Sequence, residues 1–287
     1  MSSYGKKYHE QTSICYRDVM YGDNTVWNSG CGPASLCNAL DWLGLGKYTV
    51  GQMCKYSESV GARVDGGTDM HKLLEHASSK YKFTYKTSNS NTELLQHLKN
   101  GGVAIMNNGT EYPLFSSGGH FVCAVRASGE NVTVMDSYWY SGKYSRNAIR
   151  RNNVRMIEHG VIQTSIAQCG LATADRSPSY YLITKPKQPL KKSDTAPTFV
   201  VGKSYRTQTS LKLRTAAEKG QNARLRSELS AYTKTRCLSG RKEAVLRSGV
   251  KITAKRVATG KDGSVFIKSD SGWLLAWNSE TKSVNIQ

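Results

Sequence analysis

A chain of 287 residues with 40 Lys+Arg against 21 Asp+Glu, a formal charge of +19, is long enough for one large and one small domain, each with its own core. No apolar run approaches the roughly 20 residues of a membrane span, and the opening MSSYGKKYHEQTS lacks the apolar segment of a signal peptide, so the expectation is a cytoplasmically made chain without a membrane span. Seven cysteines, at 15, 31, 37, 54, 123, 169 and 237, are odd in number and form no CxxC pair, which fits reduced thiols better than a disulfide framework or a zinc site.

The first informative stretch is NSGCGPASLCNALDWL, Asn28 to Leu43. Pro33 suits a first helical turn, and Ala34, Cys37, Leu40 and Leu43 then recur on one face. Cys31 therefore sits at a helix start. The positive end of a helix favours a thiolate and can lower a cysteine pKa from roughly 8.5 into the range of about 3.5–7.5. Gly30 and Gly32, on either side, would leave the sulfur approachable.

Further along, Thr68 can cap a helix reaching about Ser79, with Met70, Leu73, Leu74 and Ala77 as its buried stripe. His71 and His76 flank Glu75 there, in an order that is not the HExxH zinc arrangement, and read as surface residues. A third helix, Thr92 to Lys99, stops at Gly101-Gly102, and Val103 to Met106 reads as a buried strand.

The second informative stretch runs from Gly118 to Asp136. Gly118 to Val125 reads as a strand, Ser128 to Asn131 as a turn, and Val132 to Asp136 as a returning strand. Facing residues of such a hairpin have nearly constant summed numbers, about 256–258 for this turn, and His120 and Asp136 satisfy that. Both are also even-numbered, so they share one face with Val122, Ala124, Val132 and Val134, and their side chains can meet.

From Ser137 to Ser179 the pattern weakens. It holds an aromatic patch (Tyr138, Trp139, Tyr140, Tyr144) and a basic run (Arg146, Arg150, Arg151, Arg155), readable as a substrate groove or as a solvated loop face. Tyr180 to Thr184 closes the domain as a last strand.

Residues 185–199 read as a linker, since Lys185 to Thr198 holds three of the six prolines and four lysines. Beyond it helical periodicity gives way to short alternating runs: Leu211–Arg214, Val250–Ala254, Val265–Lys268 and Trp273–Ala276. Punctuated by Gly249, Gly260, Gly263 and Gly272, they predict a small all-β barrel over 200–287, with Tyr205, Tyr232 and Trp277 exposed and Trp273 in the core. The charge is concentrated here. Residues 1–184 carry 18 Lys+Arg against 14 Asp+Glu, whereas residues 200–287 carry 18 against 6. A polyanion partner follows for the C-terminal third: nucleic acid is the first candidate, though no helix-turn-helix, zinc-finger or RNP-like signature is present, and an anionic cell-wall polymer or membrane surface is the other class.

A thiol at a helix start with a histidine and an aspartate on adjacent strands supplies a nucleophile, a base and an orienting group. Such a set performs acyl transfer, most often amide hydrolysis, and requires neither metal nor cofactor.

These residues also carry a resemblance. YRDVMYGDNTVWNSGCGPASLCNALDWL from Tyr16, GGHFVCAV at 118–125, VMDS at 134–137 and the Gly67-Thr68-Asp69 helix start resemble papain-like cysteine peptidases of the bacteriocin-leader-peptidase superfamily, over roughly residues 10–184. The resemblance implies an α+β papain-like domain over 1–184, with Cys31 as nucleophile, His120 as base and Asp136 as its partner. An oxyanion-hole glutamine would be expected ahead of the cysteine; Gln11 stands far upstream, Tyr16 stands where the glutamine should be, and Asn28 is an alternative donor. YRTQTSLKLR at 205–214 and SGWLLA at 271–276 resemble a bacterial SH3-like cell-wall-binding domain, with Ala216 to Arg247 longer than a compact barrel needs. The two together are similar in plan to Gram-positive phage endolysins. That implies a peptidoglycan hydrolase held in the host cytoplasm before release to the wall, an endopeptidase, with N-acetylmuramoyl-L-alanine amidase activity as the alternative. A leader-processing peptidase or a catalytically silent wall-binding protein are the other readings.

Overall fold

The computed structural model describes residues 4–186, 193–220 and 222–287, so Lys187 to Lys192 of the expected linker lie outside the described residues. The chain divides into two compact units, Met1–Pro186 and Lys187–Gln287.

The first unit is built around one helix. A short helix α1 (Val26–Ser29) runs through Gly30 into α2 (Cys31–Leu43), which ends at Gly44 in the left-handed conformation that glycine adopts most readily. The expectation of a single apolar stripe is exceeded: every residue from Gly32 to Leu40 is buried. Among them, the Asn38 amide finds partners in the backbone of His9, accepting from its N–H at 2.7 Å and donating to its C=O at 3.2 Å. Two short ribbons, β1 (Met20–Tyr21) with β2 (Asn24–Thr25) and β3 (Arg63–Val64) with β4 (Gly67–Thr68), lie beside α3 (Val50–Ser59) and α4 (Met70–Tyr81). Asp69, rather than Thr68, caps α4, accepting from the Lys72 N–H at 3.0 Å. Thr68 is occupied instead by the Tyr21 hydroxyl at 2.7 Å. The expected stripe of α4 is buried, and His71 and His76 are exposed. Helix α5 (Asn91–Lys99) begins one residue earlier than read, because Ser90 caps it.

A seven-stranded antiparallel sheet forms the middle layer. Its strands are β5 (Thr84–Ser88), β6 (Val103–Asn108), β7 (His120–Ser128), β8 (Asn131–Met135), β9 (Arg155–Glu158), β10 (Val161–Ser165) and β11 (Tyr180–Thr184), in the order β5-β11-β6-β7-β8-β10-β9. Odd positions such as Cys123 and Met135 pack with α2 and α4. Even positions Val122, Ala124, Val132 and Val134 pack on the other face, with Leu94 of α5 and Cys169 of α7 (Ile166–Ala172). The weakly patterned stretch after Ser137 thus contains real elements, including α6 (Ala148–Asn153). They are short, and β9 is exposed at Arg155 and Met156, so no apolar period marks them.

In the second unit the expected barrel is not formed. Its strands make three separate open sheets: β12 (Ser204–Arg206) with β15 (Lys251–Thr253), β13 (Leu211–Lys212) with β14 (Val245–Leu246), and β16 (Arg256–Thr259), β17 (Val265–Ser269) and β18 (Gly272–Trp277). Isolated bridges such as Thr207 to Ile286 stand where a closed barrel would need continuous ladders. A short helix, α8 (Ala231–Arg236), occupies part of the long Ala216–Arg247 stretch. Tyr205 and Trp277, expected on the surface, are buried at 8% and 6% exposure, while Trp273 is half-buried and Tyr232 is exposed. Both buried rings have partners for their polar ends: Tyr205 accepts the Val200 N–H at 2.7 Å and the Trp277 indole donates to the Ser193 carbonyl at 3.0 Å.

Candidate active site

Cys31 opens α2, directly after Gly30. The flanking glycines serve close packing as well as access. A Cβ on Gly30 would lie 2.5 Å from the Val26 carbonyl oxygen, and one on Gly32 would lie 2.8 Å from Thr68. Cys31 is partly exposed, and its thiol lies within reach of the His120 side chain and of the Phe121 and Gly32 N–H groups. Burial pushes the thiol pKa up, but the hydrogen bond and charge of His120 and the two N–H groups outweigh it, so it lies below the ordinary thiol value.

His120 stands at the start of β7, whose backbone there is tied down by the Asn108 amide donating to the His120 carbonyl at 2.9 Å. Its Nε2 meets Asp136 Oδ1 at 2.7 Å. A carboxylate only accepts, so Nε2 carries the proton and Nδ1 is the ring nitrogen left to the thiol. Burial works against the imidazolium, yet the charge and hydrogen bond of Asp136 and the contact with Cys31 leave the His120 pKa above its ordinary value. The hairpin differs in detail from the one read from sequence. The strands pair Cys123 with Met135 beyond a bulge between Ala124 and Arg126, and that register carries Asp136 opposite Val122. His120 therefore reaches Asp136 along the diagonal, still within side-chain range.

Asp136 is fully buried and its two oxygens take four donors. Oδ1 accepts from His120 and from the Tyr138 N–H at 3.1 Å, and Oδ2 accepts from the Lys143 ammonium at 2.5 Å and from the Tyr144 hydroxyl. Burial alone would raise its pKa, but Lys143 and His120 hold the carboxyl below the usual carboxylate range. Lys143 is itself buried, and desolvation lowers its pKa despite Asp136. Lys143 and Tyr144 have no signature in the sequence, because they enter from an aperiodic turn. The rest of the expected groove disperses: Arg150 is buried and donates to the Pro113 carbonyl at 3.0 Å, while Arg146, Arg151 and Arg155 are exposed.

The expected oxyanion donors are not brought to this cluster. Asn28 is exposed and donates to the Asn24 side chain at 3.2 Å, and Tyr16 packs against Val50 and Gly51 at the start of α3. Gln11, set aside for its distance in sequence, is buried instead. The segment before it is fastened along the Asp136 strand end, with the Tyr8 hydroxyl on the Asp136 carbonyl at 2.6 Å and the Gln11 N–H on the Ser137 carbonyl at 3.0 Å. Gln11 Nε2 then donates to the Trp27 carbonyl at 3.0 Å, in the helical turn just before Cys31.

Among the described residues no group of three or more His, Cys, Asp or Glu is placed to hold a metal ion, and no helix is long and apolar enough to cross a membrane.

Residues 7–159 match the model of the Peptidase_C39 like family. The chain belongs to that family, and its first unit has the mixed α/β fold of a C39-like peptidase. Among solved structures, a putative C39-like peptidase from Bacillus anthracis is similar at 14% identity and TM-score 0.37, over 54% of this chain and 88% of that one. Ly7917, in a structure described as carrying the hydrolyzing product of MDP, is similar at 13% identity and TM-score 0.20, over 73% of this chain and 68% of that one. No curated protein matches the chain.

Proposed function

We propose that this protein is a peptidoglycan hydrolase of the phage endolysin type, cutting a cell-wall peptide bond with Cys31, His120 and Asp136. The observation that carries the reading is the Cys31 thiol set beside His120, whose Nε2 meets a fully buried Asp136 at 2.7 Å. His120 Nδ1 takes the thiol proton, the thiolate attacks the carbonyl carbon, and the imidazolium returns the proton to the leaving amine. Water then hydrolyses the thioester, with His120 as its base. The second N–H of the Gln11 amide and the Cys31 backbone N–H are the donors for the tetrahedral oxyanion. In this reading residues 200–287 form a small module of open β-sheets that holds the enzyme on the wall, and the excess of 18 Lys+Arg over 6 Asp+Glu supports an anionic wall polymer as its ligand.

The test is the loss of turbidity of Gram-positive cell-wall suspensions in reducing buffer, with wild type and Cys31→Ala. Clearing by the wild type alone is expected, and clearing by Cys31→Ala would remove Cys31 from the mechanism. Mass spectrometry of the released fragments identifies the bond. New N-termini within peptides mark an endopeptidase; free stem peptides released from the lactyl group mark an amidase at the same site.

A further inference from the structure

Asp136 does not stand alone as the partner of His120. Lys143 places its ammonium 2.5 Å from Asp136 Oδ2 and 2.6 Å from the Tyr138 carbonyl, with 1% of its side chain exposed. The same ammonium lies 5.4 Å and 5.6 Å from the ring centres of Tyr138 and Tyr144. A lysine buried this completely is costly unless its charge is matched. The match explains itself once the charges are counted. A thiolate, an imidazolium and a carboxylate together carry one net negative charge in a poorly solvated place, and Lys143 brings the group of four to zero.

We propose that Lys143 is a positioning residue for this site: it clamps Oδ2, with the Tyr144 hydroxyl, so that Oδ1 faces His120, and its charge favours the Cys31 thiolate. The clamp is geometric because the two Oδ2 donors and the two Oδ1 donors together leave the carboxylate no rotation that keeps all four. The charge effect follows from Coulomb's law. Removing a cation beside Asp136 leaves the ionised trio with an uncompensated negative charge, which disfavours the thiolate and holds the proton on His120 more tightly. The other titratable groups facing this cluster are Tyr8 from the N-terminal segment, with Glu10 near it, Cys54 from α3, whose buried thiol is pushed up and stays neutral beside Cys31, Tyr138 and Tyr144 from the following turn, and Arg150 from α6. Burial, reinforced by Asp136, raises the Tyr8 and Tyr144 phenols well above their ordinary values, so both stay neutral across the working range. Arg150 carries the same charge as Lys143 and so disfavours the ionised lysine, but its guanidinium is engaged on the Pro113 carbonyl.

The inference rests on the reading of Cys31, His120 and Asp136 as the reacting set, and one experiment separates the two. The rate of Cys31 alkylation by iodoacetamide is followed against pH in the full chain, with peptide mass spectrometry to count Cys31 apart from the exposed Cys15. If His120→Ala leaves the wild-type profile unchanged, the reacting set itself is wrong. With that profile altered as expected, Lys143→Gln, which keeps a hydrogen-bond donor but not the charge, should move both the thiolate and the imidazolium midpoints upward by about one pH unit, slowing alkylation up to about tenfold at pH values below the wild-type thiolate midpoint. Lys143→Arg, which keeps the charge, should stay close to wild type. Superimposable wild-type and Lys143→Gln profiles would overturn the proposal. Should Lys143→Gln fail to fold, Asp136→Asn/Lys143→Met leaves neither charge unpaired; its thiolate midpoint should lie about one unit above that of Asp136→Asn alone, and equality of the two would equally overturn it.

Discussion

The Gln11 side chain donates to the Trp27 carbonyl at 3.0 Å while its own oxygen accepts the Ser137 hydroxyl at 2.9 Å. These two contacts fix which end of the amide is nitrogen, since a backbone carbonyl cannot donate. They also join the loop after Asp136 to the turn before Cys31 through one buried side chain. Gln11→Glu keeps the shape and the Ser137 contact but has no N–H to give. The expected outcome is a loss of about 10²–10³ in turnover with little change in KM, because an oxyanion exists only in the transition state. Wall clearing against substrate concentration measures it, with thermal melting to confirm the fold. Full activity in a folded Gln11→Glu protein would rule Gln11 out as an oxyanion donor.

Gly32→Ala tests how tightly the helix that Cys31 opens is seated. The added methyl would meet Thr68 at 2.8 Å and the Met70 methyl at 3.2 Å, and Thr68 is held by the Tyr21 hydroxyl. Better helix propensity in alanine is worth less than 1 kcal/mol, whereas forcing a methyl into a full contact costs about 1–3 kcal/mol. Lower stability in chemical denaturation is therefore expected, with Cys31 alkylated more slowly because its helix start has shifted. A stabilised Gly32→Ala variant would mean that the ribbon carrying Thr68 yields freely.

What the sequence could show of this site followed from periodicity. Cys31 was legible because glycine, proline and an apolar repeat mark a helix start, and His120 with Asp136 because strand alternation puts even positions on one face. The register was not: the strands turn at Gly129–Glu130, with Ser128 paired to Asn131, and a bulge beside Val125, which nothing in the residues of β7 distinguishes, shifts the pairing by one residue, so Asp136 comes opposite Val122 and reaches His120 only along the diagonal. Lys143 and Tyr144 approach Asp136 from a turn seven and eight residues on, where no period relates position to direction. Gln11 lay hidden for a different reason: the chain between it and Cys31 spends its length on the β1–β2 ribbon and α1, so sequence distance overstates spatial distance. In the second unit, strands of two to six residues alternate too briefly to say which aromatic faces inward, and the inward-facing Tyr205 and Trp277 read as exposed.

Two histidines away from the site should make the fold acid-sensitive. His97 directs Nε2 at the carbonyls of Val103 and Ile183, each at 3.0 Å, and burial depresses its pKa; burial likewise depresses that of His9, against the opposing hydrogen bond to Asp41. A depressed folded-state pKa means that the unfolded chain binds the proton first. The stabilisation is thus complete above the unfolded value of about 6.5 and is lost as pH falls through the lower folded values. His120, whose pKa is raised, contributes in the opposite sense, so the comparison is made against His97→Gln, in which His120 is unchanged. Between about pH 6.5 and 5, wild-type stability in urea should fall more steeply than that of His97→Gln, by up to about 1.4 kcal/mol per pH unit. Parallel slopes would show that His97 titrates alike in both states.

Tyr232 and Trp277 let the proposed wall contact be tested apart from core packing in the second unit. Tyr232 is 70% exposed on the rim of a cavity of about 360 Å³, with the Arg236 guanidinium 5.3 Å from its ring centre and Lys251 and Asp270 along the same wall. An exposed ring beside a guanidinium presents both an apolar face and a cation, which suits a sugar or peptide segment carrying negative charge. Tyr232→Ala should leave stability within about 0.5 kcal/mol of wild type yet weaken retention on purified walls roughly tenfold, as loss of an aromatic anchor does. Trp277→Ala removes a buried ring whose indole donates to the Ser193 carbonyl, and should cost about 3–5 kcal/mol. Co-sedimentation with walls and denaturant titration of both variants make the comparison. A Tyr232→Ala protein that binds walls as tightly as wild type would move the contact surface elsewhere on the unit, and the salt dependence of binding would then show whether lysine and arginine charge alone holds it there.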